Sequence, residues 1–388
     1  RYSKDCGGCL EVKTDSFTDP VAPRVPTPTP LTNVYAILRG ADAENAKRIY
    51  LVTGHYDSRN SDTFNTKDPA PGANDDASGT AVSLECARVL SKYKFPATLI
   101  FLTVAGEEQG LDGSKHFAQM AREQGWEIQG ALNNDIVGGN TTPGDTGQRK
   151  DTVRIFSEGI PAALKPEDLN RFRNLGLEND SPSRELARYI RTISKEYLPK
   201  FQPTLIFRRD RFLRGGDHTS FNEEGFAAVR FTEYREDFNH QHQNVRVENG
   251  IEYGDEIKFV DFQYVANVAR TNAATLASLA SAPAAPANVH IETRGLTNNT
   301  TLTWEPSPGG SASGYQVLWR DADQPYWQHA MNVPQSSTSI TLPISKDNVI
   351  FALRAVDAKG HISLPVVPAP SGRIGTPGRS QAPSSSGM

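Results

Sequence analysis

Ala97-Thr-Leu-Ile-Phe-Leu-Thr-Val104 runs without a charge and then meets Ala-Gly-Glu107-Glu108. A short, β-branched, continuously apolar run describes a strand buried on both faces, as the central strands of parallel sheets are. Arg48 to Gly54 (R-I-Y-L-V-T-G) has the same character. Ser78 to Tyr93 reads as a helix, followed by the strand at Ala97, a helix over Ser114 to Gln124 and a strand over Gly130 to Val137. Strands alternating with helices predict an α/β/α sandwich of three layers on a mostly parallel sheet.

Further strands are expected over Thr32 to Gly40 and Ala227 to Thr232, and a helix over Arg184 to Tyr197. Apolar residues at 262, 265, 269, 273, 276 and 279 follow a 3.6-residue period, so a long helix closes this domain near residue 280. Residues 140–202 are richer in loops. Before the first strand, residues 1–31 contain C-G-G-C at Cys6 to Cys9 and a proline-dense run, and read as an extended arm. After the long helix, 281–287 (S-A-P-A-A-P-A) reads as a linker and 288–364 as short alternating strands of a small β-sandwich. Residues 365–388 are rich in Pro, Ser and Gly and read as a disordered tail.

The chain has 388 residues, 37% hydrophobic and 22% charged, enough for a sizeable core and more than one domain. With 41 Lys and Arg against 45 Asp and Glu, the net charge is −4. No basic run marks a nucleic-acid or membrane-surface partner, and no apolar stretch is long enough to span a bilayer. C-G-G-C lacks the second C-x-x-C of a zinc ribbon and the βα-turn context of a thioredoxin motif, so a small disulfide loop is expected. That fits an oxidising compartment, and a chain starting at Arg1 without methionine fits removal of a leader. Cys86 reads as a core residue.

Polar chemistry gathers where the α/β strands end, which is where open α/β sheets build their sites. Strand 48–54 is followed by His55 and Asp57, which extended backbone points to one side. P-G-A-N-D-D-A-S-G-T at 71–80 places Asp75 and Asp76 before a helix, where one acid satisfies an N-cap and two exceed it. Glu107 and Glu108 end the third strand, and Asp135 lies between apolar residues in N-N-D-I-V-G. Buried acids are rare unless paired or metal-bound. Late in the domain come R-G-G-D-H-T-S-F at 214–221, with Asp217 and His218, and N-H-Q-H-Q at 239–243, with His240 and His242.

In this order, G-H-x-D-S, P-G-A-N-D-D-A-S-G, A-G-E-E-Q-G-L-x-G-S, N-x-D-x-V-G and a late histidine, the motifs resemble the M28 family of zinc exopeptidases over roughly residues 32–280. The resemblance implies two Zn²⁺ per chain, for which Mn²⁺ or Co²⁺ could substitute. His55 and Asp135 would hold one zinc, Glu108 and His242 the other, and Asp75 would bridge them. Glu107 would be the general base and Asp57 the carboxylate orienting His55. His240 is the alternative to His242, because H-Q-N-V-R-V stands where the family often has H-x-x-x-D-T. Asp217 and His218 match a D-H-x-x-F element and would line the site. A water shared by the two ions would lose its proton to Glu107 and attack the scissile carbonyl.

The implied function is a secreted metallo-aminopeptidase acting on peptides, extracellular or periplasmic. Arg208, Arg209, Arg211 and Arg214 keep a carboxypeptidase or dipeptidase open, because a terminal carboxylate needs such groups. An inactive binding scaffold would have lost ligands, and here all are present. The β-sandwich resembles a fibronectin type III domain, with Trp304, G-Y-x-V-x-W-R at 314–320 and A-V-D-A-K-G-H-x-S near its end. It departs from that family in having Val349 where the corner tyrosine usually stands. The sandwich is expected to attach or space the enzyme, with polymeric or surface ligands as partners.

Overall fold

A computed structural model describes residues 1–142, 144–294 and 296–371. These divide into two compact units, 1–283 with 359–364, and 284–358 with the residues after 364.

In the first unit, strands β1 (Leu10–Asp19), β2 (Thr29–Leu38), β3 (Arg48–His55), β4 (Thr98–Val104), β5 (Glu127–Asn134), β6 (Val153–Ser157), β7 (Thr204–Ile206) and β8 (Ala228–Glu233) form one mixed sheet. Its order is β1-β2-β4-β3-β5-β8-β6-β7. The central strands β4, β3, β5 and β8 run parallel to their neighbours in that group, while β1–β2, β2–β4 and β8–β6 are antiparallel. The helices are α1 (Tyr2–Asp5), α2 (Ala77–Leu90), α3 (Glu107–Gly110), α4 (Asp112–Glu123), α5 (Pro166–Asn174), α6 (Pro182–Tyr197), α7 (His218–Glu223) and α8 (Phe262–Ser281).

Period-two alternation explains the layers. Leu99 and Phe101 of β4 join Val52 and Leu132 in a core with Val82 and Cys86 of α2, Leu186 and Ile190 of α6 and Leu276 of α8. Ile100, Leu102 and Val104 point the other way, onto Phe117 and Ala121 of α4 and Phe221 of α7. Both faces are covered, so the run at Ala97 has no polar side to show. Caps start the helices where the apolar periods begin: Asp76 accepts from Gly79 N at α2, Ser181 from Arg184 N at α6, and Asp261 from Gln263 N and Tyr264 N at α8.

Two expectations are corrected. Residues 1–31 are not an arm. Leu10–Asp19 pairs along its whole length with β2 and forms the edge of the main sheet, with its end residues Leu10 and Asp19 buried and the residues between them exposed or half-buried. The loop-rich middle, 140–202, contains β6, and β7 follows just beyond it; each is too short to show a period. Cys6 and Cys9 form the expected disulfide, and Cys86 is a buried free thiol in the core. Among the described residues no helix is long and apolar enough to cross a membrane.

The remaining strands of the first unit, β9 (Arg246–Glu248) and β10 (Ile251–Tyr253), form a small hairpin. In the second unit, β11 (Ala287–Ile291), β12 (Thr300–Glu305), β15 (Ser339–Leu342) and β17 (Ala369–Pro370) form one sheet, and β13 (Gly314–Asp321), β14 (His329–Pro334) and β16 (Val349–Val356) the other. Trp304 meets Tyr315 edge-on at 5.6 Å in a core with Leu302, Val317, Phe351 and Leu353. The expected tail begins too early at 365. Val366 exchanges backbone hydrogen bonds with Leu353, and β17 pairs with β11. From 372 on, that tail lies outside the described residues.

Candidate metal centre

Parallel strands bring their carboxyl ends to one edge, and the loops there supply the site. His55 ends β3, fully buried. Its Nδ1–H donates to the Asp57 carbonyl at 3.0 Å, which leaves Nε2 facing Asp75 Oδ1 at 3.3 Å. The Asp57 carboxylate lies 3.6 Å from Nδ1 and accepts instead from the amides of Glu107 and Glu108, at 3.2 and 3.1 Å. Asp57 therefore orients His55 through its backbone, and its carboxylate fixes the loop after β4. This refines the expected role.

That loop turns at Gly106, whose φ of 72° is left-handed, so Glu107 and Glu108 enter α3 on the sheet's edge. The two aspartates after β3 divide their roles. Asp76 caps α2 and accepts from His55 N at 3.0 Å, while Asp75 turns into the site. The close approach needs glycine: a Cβ on Gly79 would lie 2.0 Å from the Asn134 carbonyl.

Two clusters form. His55, Glu107 and Asp135 make one, and Asp75, Glu108 and His242 the other, each with donor atoms within 4.8 Å of one another. Asp75 touches both: Oδ1 lies by His55, and Oδ2 lies 2.9 Å from His242 Nε2, which is 2.8 Å from Glu108 Oε1. His240 is elsewhere, stacked on Phe259 at 3.7 Å and bordering Asp237. His218 also turns away and donates from Nε2 to the Arg209 carbonyl, whereas Asp217 is completely buried beside Ser114.

The donor set fits zinc. Buried His55 Nε2, His242 Nε2 and Glu108 Oε1 have no hydrogen-bond partner of sound geometry, although carboxylate oxygens lie close. The edge is also short of positive charge. Burial, then mutual repulsion among Asp75, Asp76, Asp135 and their neighbours, pushes Asp76 and Glu107 well above the usual carboxylate range, and Asp217 to about 7. Burial also opposes charge on His242, but Asp75 and Glu108 outweigh it and lift the ring to about 9. A divalent cation among these groups would relieve both.

Several supporting residues escaped the sequence reading. Arg230 is fully buried in β8 and pairs with Asp135 at 2.8 Å and Asp210 at 3.5 Å. An arginine inside A-A-V-R-F-T was the available signal, since a buried charge needs a partner. Asp255 accepts from the amides of Asn74 and Asp75 at 2.9 and 2.7 Å and so holds the Asp75 loop. Gln241 donates to Asp75 Oδ2, and Arg59 to Glu108 Oε2. These contacts cross up to 181 residues of sequence, and no local pattern announces them. Of the arginines singled out, Arg211 and Arg214 line the cleft over the clusters, whereas Arg209 pairs with Glu223 and Arg208 lies over Phe212.

Paired histidine–carboxylate clusters at the carboxyl edge of an α/β sheet place the molecule among metal-binding α/β proteins. The family is specific: the profile of peptidase family M28 matches residues 33–249, and the chain belongs to that family. The fibronectin type III profile matches residues 284–365. A probable zinc metalloprotease of Leptosphaeria maculans is 45% identical over 371 residues, 95% of this chain and 85% of that protein. Another, of Pyrenophora teres f. teres, is 45% identical, covering 96% of this chain and 76% of its own length. Among solved structures, an aminopeptidase from Aneurinibacillus sp. strain AM-1 aligns at 24% identity and a TM-score of 0.45, over 64% of this chain and 48% of that one. The Legionella pneumophila LapA aminopeptidase aligns at 20% identity and 0.47, over 72% and 61%.

Proposed function

We propose that this zinc metalloprotease of family M28 is a secreted exopeptidase that works with two zinc ions, and that it is an aminopeptidase. The observation that carries the two-ion reading is the Asp75 carboxylate, which offers one oxygen to the His55 side and the other to the His242 side. His55 and Asp135 would hold one ion, Glu108 and His242 the other, with Asp75 shared. Bound there, zinc supplies Lewis-acid polarisation of the scissile carbonyl and acidifies water.

The chain's own groups do the rest. Glu107 borders the cleft, and no protein donor among the described residues reaches its carboxylate, so it is free to take a proton from water and return it to the leaving amine. Burial raises its carboxyl above the usual carboxylate range, which makes the ionised form a stronger base. Asp57 holds the Glu107 and Glu108 amides, so base and ligand stay in register. Arg230 fixes Asp135, and Asp255 fixes Asp75. The aminopeptidase assignment rests on the family resemblance. A carboxypeptidase is the second reading, favoured by the arginines on the cleft. Secretion is supported by the Cys6–Cys9 disulfide.

One preparation tests both parts. Metal analysis of protein purified without chelator is expected to give about two zinc per chain. A panel of N-blocked and C-blocked dipeptides is expected to show cleavage from one end only. One ion per chain overturns the two-ion reading, and cleavage of doubly blocked longer peptides overturns the exopeptidase reading.

A further inference from the structure

The cleft over the metal clusters, about 410 Å³, is bordered by Arg24, Arg59, Arg211 and Arg214. Among its described lining residues the only carboxylates are Asp75, Glu107, Glu108 and Asp135, and each already has a role as ligand or base. The four arginines are not equally available. Arg59 spends its donors on Glu108, the Asn60 carbonyl and His242. Arg211 is tied to Asp210, Glu236 and the Gly215 carbonyl. Arg24 is exposed and gives one donor to the Glu108 carbonyl, and Arg214 gives one to Glu236. Arg214 also lies over the Phe238 ring at 5.5 Å, and among the described residues no other hydrogen bond or ion pair holds either guanidinium.

The wall behind Arg214 gathers several arginines. Glu236 receives Arg154, Arg211 and Arg214 together, and Asp210 is shared by Arg211 and Arg230. A guanidinium with unspent donors is built to take a carboxylate in a two-pronged contact.

We propose that Arg24 and Arg214 bind a carboxylate of the peptide substrate beside the metal centre, so that the preferred substrates are acidic. This rests on the peptidase reading of the same cleft. The carboxylate has two sources, the free C-terminus or an Asp or Glu side chain next to the scissile bond. Leu213, almost fully exposed and lining the same cleft, offers an apolar contact alongside.

The test uses the full zinc-loaded chain and its Arg24→Met, Arg214→Met and double variants. N-acetyl-Leu-Leu, its C-terminal amide, Leu-Leu amide and Glu-Leu amide are compared as substrates, and N-acetyl-Leu-Leu and its amide also as ligands of the Glu107→Gln protein by calorimetry. The expected result is a preference for the carboxylate-bearing member of a pair. Each arginine variant should raise its KM or Kd by about tenfold to hundredfold, the worth of a charge-assisted hydrogen bond, with little change for the neutral member. Preference for N-acetyl-Leu-Leu identifies the C-terminus, and preference for Glu-Leu amide identifies the side chain. Tighter binding of the acid than of its amide without cleavage of any peptide upholds the carboxylate site while the peptidase reading fails. Equal KM and Kd for charged and neutral members, unchanged in the variants, overturns the proposal and leaves the peptidase reading standing.

Discussion

The peptidase unit and the β-sandwich bury their interiors by opposite rules. The sandwich hides Trp304, Tyr315, Val317, Phe351 and Leu353, and among its described residues it buries no carboxylate. The peptidase unit is as apolar on both faces of its sheet, yet at one edge it buries Asp75, Asp76, Glu108, Asp135, Asp217 and Glu233. Uncompensated buried acids cost several kcal/mol each. Asp76 is held as a helix cap and Glu233 by amide donors, whereas Asp75, Glu108 and Asp135 gather with His55 and His242 in the two clusters, which have no counterpart among the described residues of the sandwich.

The sharpest break is at Asp75. Asp75→Ala is expected to retain less than one zinc per chain and to bring peptidase activity to background, read by metal analysis beside a dipeptide assay. Retention of two zinc ions would remove the shared-ligand assignment. Glu107→Gln comes next: both ions should stay while kcat falls roughly 10²–10⁴-fold, the usual worth of a general base. Activity within a few fold of wild type would mean that another group takes the proton.

Arg230→Met tests the cost of the acidic edge itself. It leaves Asp135 and Asp210 buried without their guanidinium, and breaking such a pair costs about 3–5 kcal/mol. Chemical denaturation of the zinc-free protein should show that loss, and an excess of zinc should recover part of it. No loss of stability would mean that solvent already screens the edge.

Glu233 gives the pH signature. Burial raises its carboxyl to about 8, although Asn74 and the amides of Asn140 and Gly139 pull the other way. An acid raised above its unfolded value of about 4.3 binds its proton more tightly when folded. Its contribution is therefore complete below pH about 4 and is lost as pH rises through about 8. Glu233→Gln should flatten the fall in stability between pH 5 and 8, measured by denaturant midpoints. An unchanged slope would assign that fall to other groups.

The smallest effect on catalysis belongs to the sandwich. Trp304→Ala should cost that unit about 3–5 kcal/mol and lower its own melting transition, while kcat/KM for a dipeptide stays within about twofold. A tenfold loss would show that the sandwich shapes the active site.

Much of this was legible along the chain. Ala97 to Val104 had to be a doubly buried strand, because its side chains offer no polar face, and the acids at its end had to be at the carboxyl edge. Asp75 and Asp76 announced a cap plus something more. Leu10–Asp19 was missed because a largely exposed, polar edge strand shows no apolar period. Arg230 was visible as an anomaly, but its partners were not.

The amino-acid sequence by itself determined the alternation of elements, the two units and the order of the acidic motifs, because these follow from side-chain period and local capping. Only the tertiary structure decided that His242 rather than His240 joins Asp75 and Glu108, that Asp57 steadies His55 through its carbonyl, and that Arg24 and Arg214 keep donors to spare. Such choices depend on distances between residues remote in sequence, and sheet order and loop closure set those distances.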